Sequence, residues 1–215
     1  MKKIILPLLL ILTVGMLAAV ESEPSEIVGY VKYDMYTGYS YVAQPMDITT
    51  TAQAIGIDNQ TSVTQIYRFN TQTQGWESVF YDPDFGEWLG NFNVNPGDVL
   101  LFNCIADGSY YSIGNVPDPI TYQIYPGFNY ITIPLNRSDL VSAQTLGNEI
   151  GNIQIIYRFN NQTHGWESIL YDSEFEEWIG DITLSLGDIV LLKSTASTTW
   201  PNRNKSTDSQ YRASK

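Results

Sequence analysis

Carboxylates and aromatic rings are the side chains abundant enough here to do chemistry, and both sets recur along the chain. Glu77, Asp82, Glu87 and Asp98 return ninety positions later as Glu167, Asp172, Glu177 and Asp188. Two carboxyl groups about 5 to 9 Å apart are enough to hydrolyse a glycosidic bond, so a glycoside hydrolase-like enzyme is one reading. An active site written twice within so short a unit argues against it. The simpler expectation places Asp98 and Asp188 in turns and points Glu77 and Glu167 to solvent from edge strands. Asp82, Asp84 and Glu87, with Asp172, Glu174 and Glu177, also offer the hard oxygen ligands that Ca²⁺ takes, although their spacing matches no standard calcium loop. No other cofactor is expected.

Other chemistries lack their residues. A nucleophile needs a base within reach, and the one histidine, His164, has Gln74 as its counterpart in the other half of the repeat. One His and one Cys cannot assemble a zinc site, and there is no glycine-rich phosphate loop. Cys104 is the single cysteine, which excludes an intrachain disulfide. It follows an apolar run and aligns with Ser194, as a small, partly buried side chain would. No catalytic residue is assigned.

The rings are the more informative set. Tyr67, Phe69, Trp76, Tyr81, Phe85 and Trp88 recur as Tyr157, Phe159, Trp166, Tyr171, Phe175 and Trp178. Buried, such rings supply core area to a small module; exposed, Trp and Tyr form flat platforms on which sugars stack. Alternation puts Tyr67 and Phe69 on one face of a strand and Ile66 and Arg68 on the other, so one use cannot hold for every ring. Trp76, Tyr81, Trp88, Trp166, Tyr171 and Trp178 are the candidate ligand platform. Exposure of a Trp pair would favour binding, whereas burial of all four repeated tryptophans would favour a purely structural role.

Positioning these groups is the work of a duplicated unit. Residues 66–101 align with 156–191 without a gap, with 20 identities in 36 positions, which makes the duplication secure. Upstream, Tyr33, Tyr36, Gly38, Tyr41 and Pro45 pair with Tyr122, Tyr125, Gly127, Tyr130 and Pro134 at an offset of 89. The expected organisation is a signal peptide over 1–22, one β module over 23–116, a second over 117–200, and a polar basic tail over 201–215 without fixed structure. Short runs rich in aromatic and β-branched residues predict strands at Tyr39–Ala43, Val63–Asn70, Phe92–Val94 and Val99–Phe102 and at their counterparts, with a hairpin whose second strand starts at Trp76 or Trp166. Asn95-Pro96-Gly97-Asp98 predicts a type II turn, and Gly187 keeps the position that needs positive φ. Helices are expected over Ile48–Ile55 and Leu140–Ile150, capped by Asp47 and Ser138 and ended by Gly56 and Gly151. The fold class is mostly β: two tandem small β-sandwich or partly open barrel modules, each with one short helix.

The order Gly127-Phe-Asn-Tyr-Ile-Thr-Ile-Pro-Leu135, Tyr157-Arg-Phe159, Gly165-Trp166 and Gly187-Asp188 resembles duplicated β-rich modules of bacterial secreted and surface proteins. That resemblance implies an extracellular, repeat-built accessory domain and carries no assigned activity or site. Lys2 and Lys3 before the apolar run Ile4–Val20 point the same way, to export with cleavage after Ala19 or Ser22, or else to a retained anchor. A formal charge of −12 with only 16% charged residues argues against a nucleic-acid partner, which needs clustered Lys and Arg to displace phosphate counterions. The expected function is therefore an exported, non-catalytic binding module of the cell surface or secretome, for polysaccharide or another surface protein. The alternative is a structural spacer of a larger surface assembly.

Overall fold

The computed structural model describes residues 28–201; the expected signal peptide and all but the first residue of the basic tail lie outside them. The first half runs β1 (Val28–Met35), β2 (Gly38–Ala43), β3 (Thr50–Thr51), α1 (Ala52–Asp58), β4 (Val63–Asn70), β5 (Gly75–Asp82), β6 (Glu87–Leu89), β7 (Asn93–Val94), β8 (Val99–Cys104) and β9 (Gly108–Asn115). The second half repeats it as β10 (Tyr122–Ile124), β11 (Gly127–Thr132), α2 (Ala143–Ile150), β12 (Ile153–Asn160), β13 (Gly165–Asp172), β14 (Glu177–Ile179), β15 (Ile189–Ser194) and β16 (Thr198–Trp200). Each half is built on one five-stranded antiparallel sheet, in the order β2-β8-β4-β5-β6 and β11-β15-β12-β13-β14, and neither closes into a barrel. Separate ribbons, β1 with β9 and β10 with β16, flank the sheets.

Local chemistry accounts for most of these elements. The hairpins β4-β5 and β12-β13 turn on Asn70 and Asn160, whose side-chain oxygens accept from the two amides that follow the next residue boundary, Gln72 and Thr73 or Gln162 and Thr163. The type II turns form as expected: Gly97 and Gly187 hold φ of 94° and 81°, and Asp98 N–H donates to Asn95 O over 3.0 Å. Both helices begin later than the sequence suggests. The caps are Thr51, accepting from Ala54 N–H, and Ser142, accepting from Thr145 N–H, instead of Asp47 and Ser138. The reason is that Thr51 and Ser142 are already tied to the sheet side by β3 and by the Ser142–Thr183 bridge, so the chain is extended until there. Gly151 ends α2 with positive φ, but Gly56 lies inside α1, which continues to Asp58.

Gly56 and its counterpart Gly147 have a packing role. A Cβ on Gly56 would come within 2.7 Å of the Trp88 ring, and one on Gly147 would run into the Trp178 ring. Each helix therefore sits directly on a tryptophan from the third strand of the hairpin sheet. Around that contact, each half assembles its own core, with Val42, Ile66, Val79, Leu100 and Phe102 in the first and Ile131, Ile156, Ile169, Val190 and Leu192 in the second.

Alanine at position 56 should gain about 1 kcal/mol of helix propensity and lose about 1–3 kcal/mol to overpacking. Because Trp88 is buried and cannot swing aside, the loss wins. Urea denaturation should show Gly56→Ala less stable than wild type, and Gly147→Ala affected less, since Trp178 is only partly buried. Equal or greater stability of Gly56→Ala would refute the packing account.

Candidate functional site

The candidate tryptophans separate into two classes. Trp88 is 5% exposed and Trp178 is partly buried, each against its helix, with Tyr81 and Tyr171 packed beside them at ring separations of 5.9 and 5.3 Å. Trp76 and Trp166 are 49% and 47% exposed. The alternation of β4 explains the split. Ile66 and Arg68 face the core side, while Tyr67 and Phe69 stand on the outer face, where their strand partners are Ser78 and Trp76. The outer face of the first sheet thus carries Tyr39, Tyr67, Trp76 and Phe80, and that of the second carries Phe128, Tyr157, Trp166 and Leu170. Most of these rings keep substantial exposure.

The other part of each outer face is covered by the opposite half. Tyr41 stacks on Tyr130 at 5.3 Å with the two hydroxyls 2.8 Å apart. Tyr41 also meets Phe159 and Trp166 edge-on, and Tyr130 meets Phe69 edge-on and Trp76 at a tilt. These are equivalent residues of the two copies exchanging the same contacts, the signature of a two-fold, isologous interface. The hairpin tips complete it. Gln74 donates to Phe128 O and accepts from Phe128 N–H, while Asn161 accepts from Tyr41 N–H and donates to Tyr41 O and Asp34 O. Each tip therefore uses an amide side chain to satisfy the free backbone of the other half's edge strand, β11 or β2. Sequence reading missed this contact, because nothing local distinguishes Gln74 and Asn161 from other turn amides.

Burial at this seam raises the hydroxyl pKa of Tyr41, and drives those of Tyr33 and Tyr130 well above the ordinary tyrosine range. Tyr122, which faces Gly97 across the same seam, and Tyr110, buried in the first half, are raised for the same reason. Burial also pushes the Cys104 thiol up to about 11, which makes it a poor nucleophile at neutral pH.

The repeated carboxylates are held by arginine. Arg68 Nε donates to Glu77 at 2.8 Å and Nη1 donates to Asp98 at 2.7 Å and to Asn93 O, and Arg158 repeats the set with Glu167, Asp188 and Thr183 O. Glu77 and Glu167 do lie on stretches of β5 and β13 that pair on one side only, since β6 and β14 pair with them only from Phe80 and Leu170 onward, and Glu167 is exposed, but both carboxylates are ion-paired and brace the hairpin to the turn. Asp98 and Asp188 do lie in turns, where each also accepts from the amide three residues back. Among the candidate calcium ligands, Asp82 and Asp172 accept from the amides of Asp84 and Phe85 or Glu174 and Phe175. Asp84, Glu87, Glu174 and Glu177 are exposed. Among the described residues no three His, Cys, Asp or Glu groups gather closely enough to hold a metal ion. His164, exposed at the second hairpin tip with φ of 54°, stacks on Phe159.

Two cavities adjoin these rings. A pocket of about 170 Å³ lies at the seam, lined by Tyr41, Tyr130, Phe159, Trp166, Arg158 and Asp188 among others. A larger groove of about 760 Å³ opens at the end of the second sheet, beside Trp178 and Tyr171. No protein-family model matches the chain, and no curated protein or solved structure is significantly similar to it. No helix among the described residues is long and apolar enough to cross a membrane.

Two measurements follow from this geometry. A tyrosine whose folded pKa is raised stays protonated while the unfolded chain ionises near 10, so its contribution to stability is complete below that pH and is lost as pH rises above it. Absorbance titration should show Tyr33, Tyr110, Tyr122 and Tyr130 ionising only on alkaline unfolding; their ionisation while the fold is intact near pH 10 would contradict the burial. The Trp88 indole N–H is buried without a hydrogen-bond partner, whereas Trp178 donates to Asn148, whose position in α1 is held by Ile57. Ile57→Asn should stabilise the protein by about 1 kcal/mol in urea denaturation, and Asn148→Ile should destabilise it; the reverse order would refute the pairing.

Proposed function

We propose that the protein is a non-catalytic glycan-binding module of exported type that holds a polysaccharide on the outer faces of its two sheets. The observation that carries this reading is the half-exposure of Trp76 and Trp166 at equivalent positions, each beside a second ring, Tyr67 or Tyr157, at about 6 Å. Large rings left in water on a sheet face cost hydrophobic stabilisation that burial would recover. A sugar's C–H face stacked on the ring recovers part of it. Two weak platforms on one chain gain avidity on a repetitive polymer, a physical use for the duplication.

Catalysis finds less support. Glu77 and Asp98 are bound to one guanidinium, and so are Glu167 and Asp188. Neither pair is arranged as an acid and a base flanking an open sugar site.

Retention on insoluble polysaccharides measures the proposal. Trp76→Ala and Trp166→Ala should each weaken binding by about 1 kcal/mol, roughly fivefold, and the double substitution more than either, with the far-UV circular dichroism of the wild type retained. Trp88→Ala should instead lower the unfolding midpoint. Failure of the wild type to bind any polysaccharide, or undiminished binding by the double variant, would end the glycan reading, and retention on a surface protein in its place would transfer the platform to a protein partner.

A further inference from the structure

The groove at the end of the second sheet differs in chemistry from the outer faces it adjoins. Ile155 and Leu170 belong both to its wall and to the outer face that carries Trp166, so the two surfaces are continuous. Its other lining groups include Trp178, Tyr171, Asn148, Asn152, Gln154 and Lys193. Aromatic rings with amides that both donate and accept suit the face and the hydroxyls of a sugar. Its volume of about 760 Å³ is within the range of small-ligand sites, and among the described residues no Asp or Glu lines it.

Lys193 is the distinguishing residue. The described part of the chain holds five Lys and Arg residues. Lys32, Arg68, Arg137 and Arg158 each pair with a carboxylate at 3.3 Å or less. Lys193 makes no ion pair among the described residues, although the chain carries a formal charge of −12. In so acidic a chain, an ammonium without an ion pair among the described residues, in a groove whose described lining holds no Asp or Glu, is available to an anionic group. The first half offers no equivalent: Asn103 stands at the Lys193 position, Ile57 at that of Asn148, and Trp88 is buried.

We propose that this groove is a subsite for a single carboxylated sugar, a hexuronate or a sugar acid of similar size, with Lys193 Nζ donating to the carboxylate and the Tyr171–Trp178 edge and flanking amides holding the ring. The proposal rests on the glycan reading of the outer faces and adds to it the ligand's charge. One point charge suits one carboxylate, since a phosphate or sulfate ester is normally gathered by several donors. The excess of acids repels a densely charged polyanion, so the favoured polymer is largely neutral and carries isolated acid residues.

The test compares cellotetraose and chitotetraose with counterparts oxidised at C6 to the uronate on one residue, using the full chain, calorimetry and tryptophan fluorescence. Wild type should prefer the uronate counterpart by roughly threefold to tenfold at low salt, and 0.5 M NaCl should remove the preference by screening. Lys193→Asn, which installs the residue found at the matching site of the first half, should bind acid and neutral forms alike while keeping the neutral affinity. Trp76→Ala should weaken both forms and leave the preference intact. A wild type that binds neutral and acidic forms equally, or a preference that survives Lys193→Asn, overturns the groove assignment and leaves the glycan reading standing. Binding of the uronates alone, lost in Lys193→Asn, supports the groove and sinks the neutral platforms. Binding of none of the four overturns both.

Discussion

A five-stranded open sheet has two edges and two faces, and a small module has one helix with which to cover them. In this protein the deficit is met by the other copy of the same module. The tip of each central hairpin lays an amide side chain on the edge strand of its opposite number, and Tyr41 and Tyr130 stack between the faces. An uncovered edge would present unpaired N–H and C=O groups to any passing strand. Because the contact is reciprocal, it closes on itself as an isologous pair does. The turn glycines take part in the same seam: a Cβ on Gly97 would crowd Ile120 and Tyr122, and one on Gly187 would crowd Val31.

That seam divides the outer faces and so decides which rings stay in water. Near it, Tyr41, Tyr130, Ala43 and Val99 form a third apolar cluster shared by the halves. Away from it, Tyr39, Phe80, Phe128 and Leu170 keep open surface. Trp76 and Trp166 sit at the boundary, with one side against rings of the opposite half and the remainder exposed. A ring anchored in this way is held in place without being buried.

The duplicated arginines give the repeated acids a structural role. A guanidinium lies between Glu77 and Asp98, and another between Glu167 and Asp188. Arg68 joins three separate stretches, the hairpin, β7 and the type II turn, through Glu77, Asn93 O and Asp98. Recurrence of all three partners in the second half reflects a brace that the fold needs twice. Divergence between the halves is where one copy acquires something the other lacks, and Lys193, Asn148 and the partial exposure of Trp178 lie together in such a place.

What the sequence by itself determined were features encoded within a few residues: the duplication, the strands of the central hairpin, the positive-φ glycines of the turns, and the alternation that sets Tyr67 and Phe69 opposite Ile66 and Arg68. The helix starts were misplaced because Thr51 and Ser142 act as caps only once distant strands hold the preceding residues extended. Only the tertiary structure decided that Trp88 and Trp178 lie under helices while Trp76 and Trp166 face out, since a period of two names the faces of a strand without saying which one meets a helix. It likewise decided that Lys193 has no ion pair among the described residues and that each half covers one edge strand of the other, because ion pairs and edge contacts join residues tens of positions apart, and no local pattern records them.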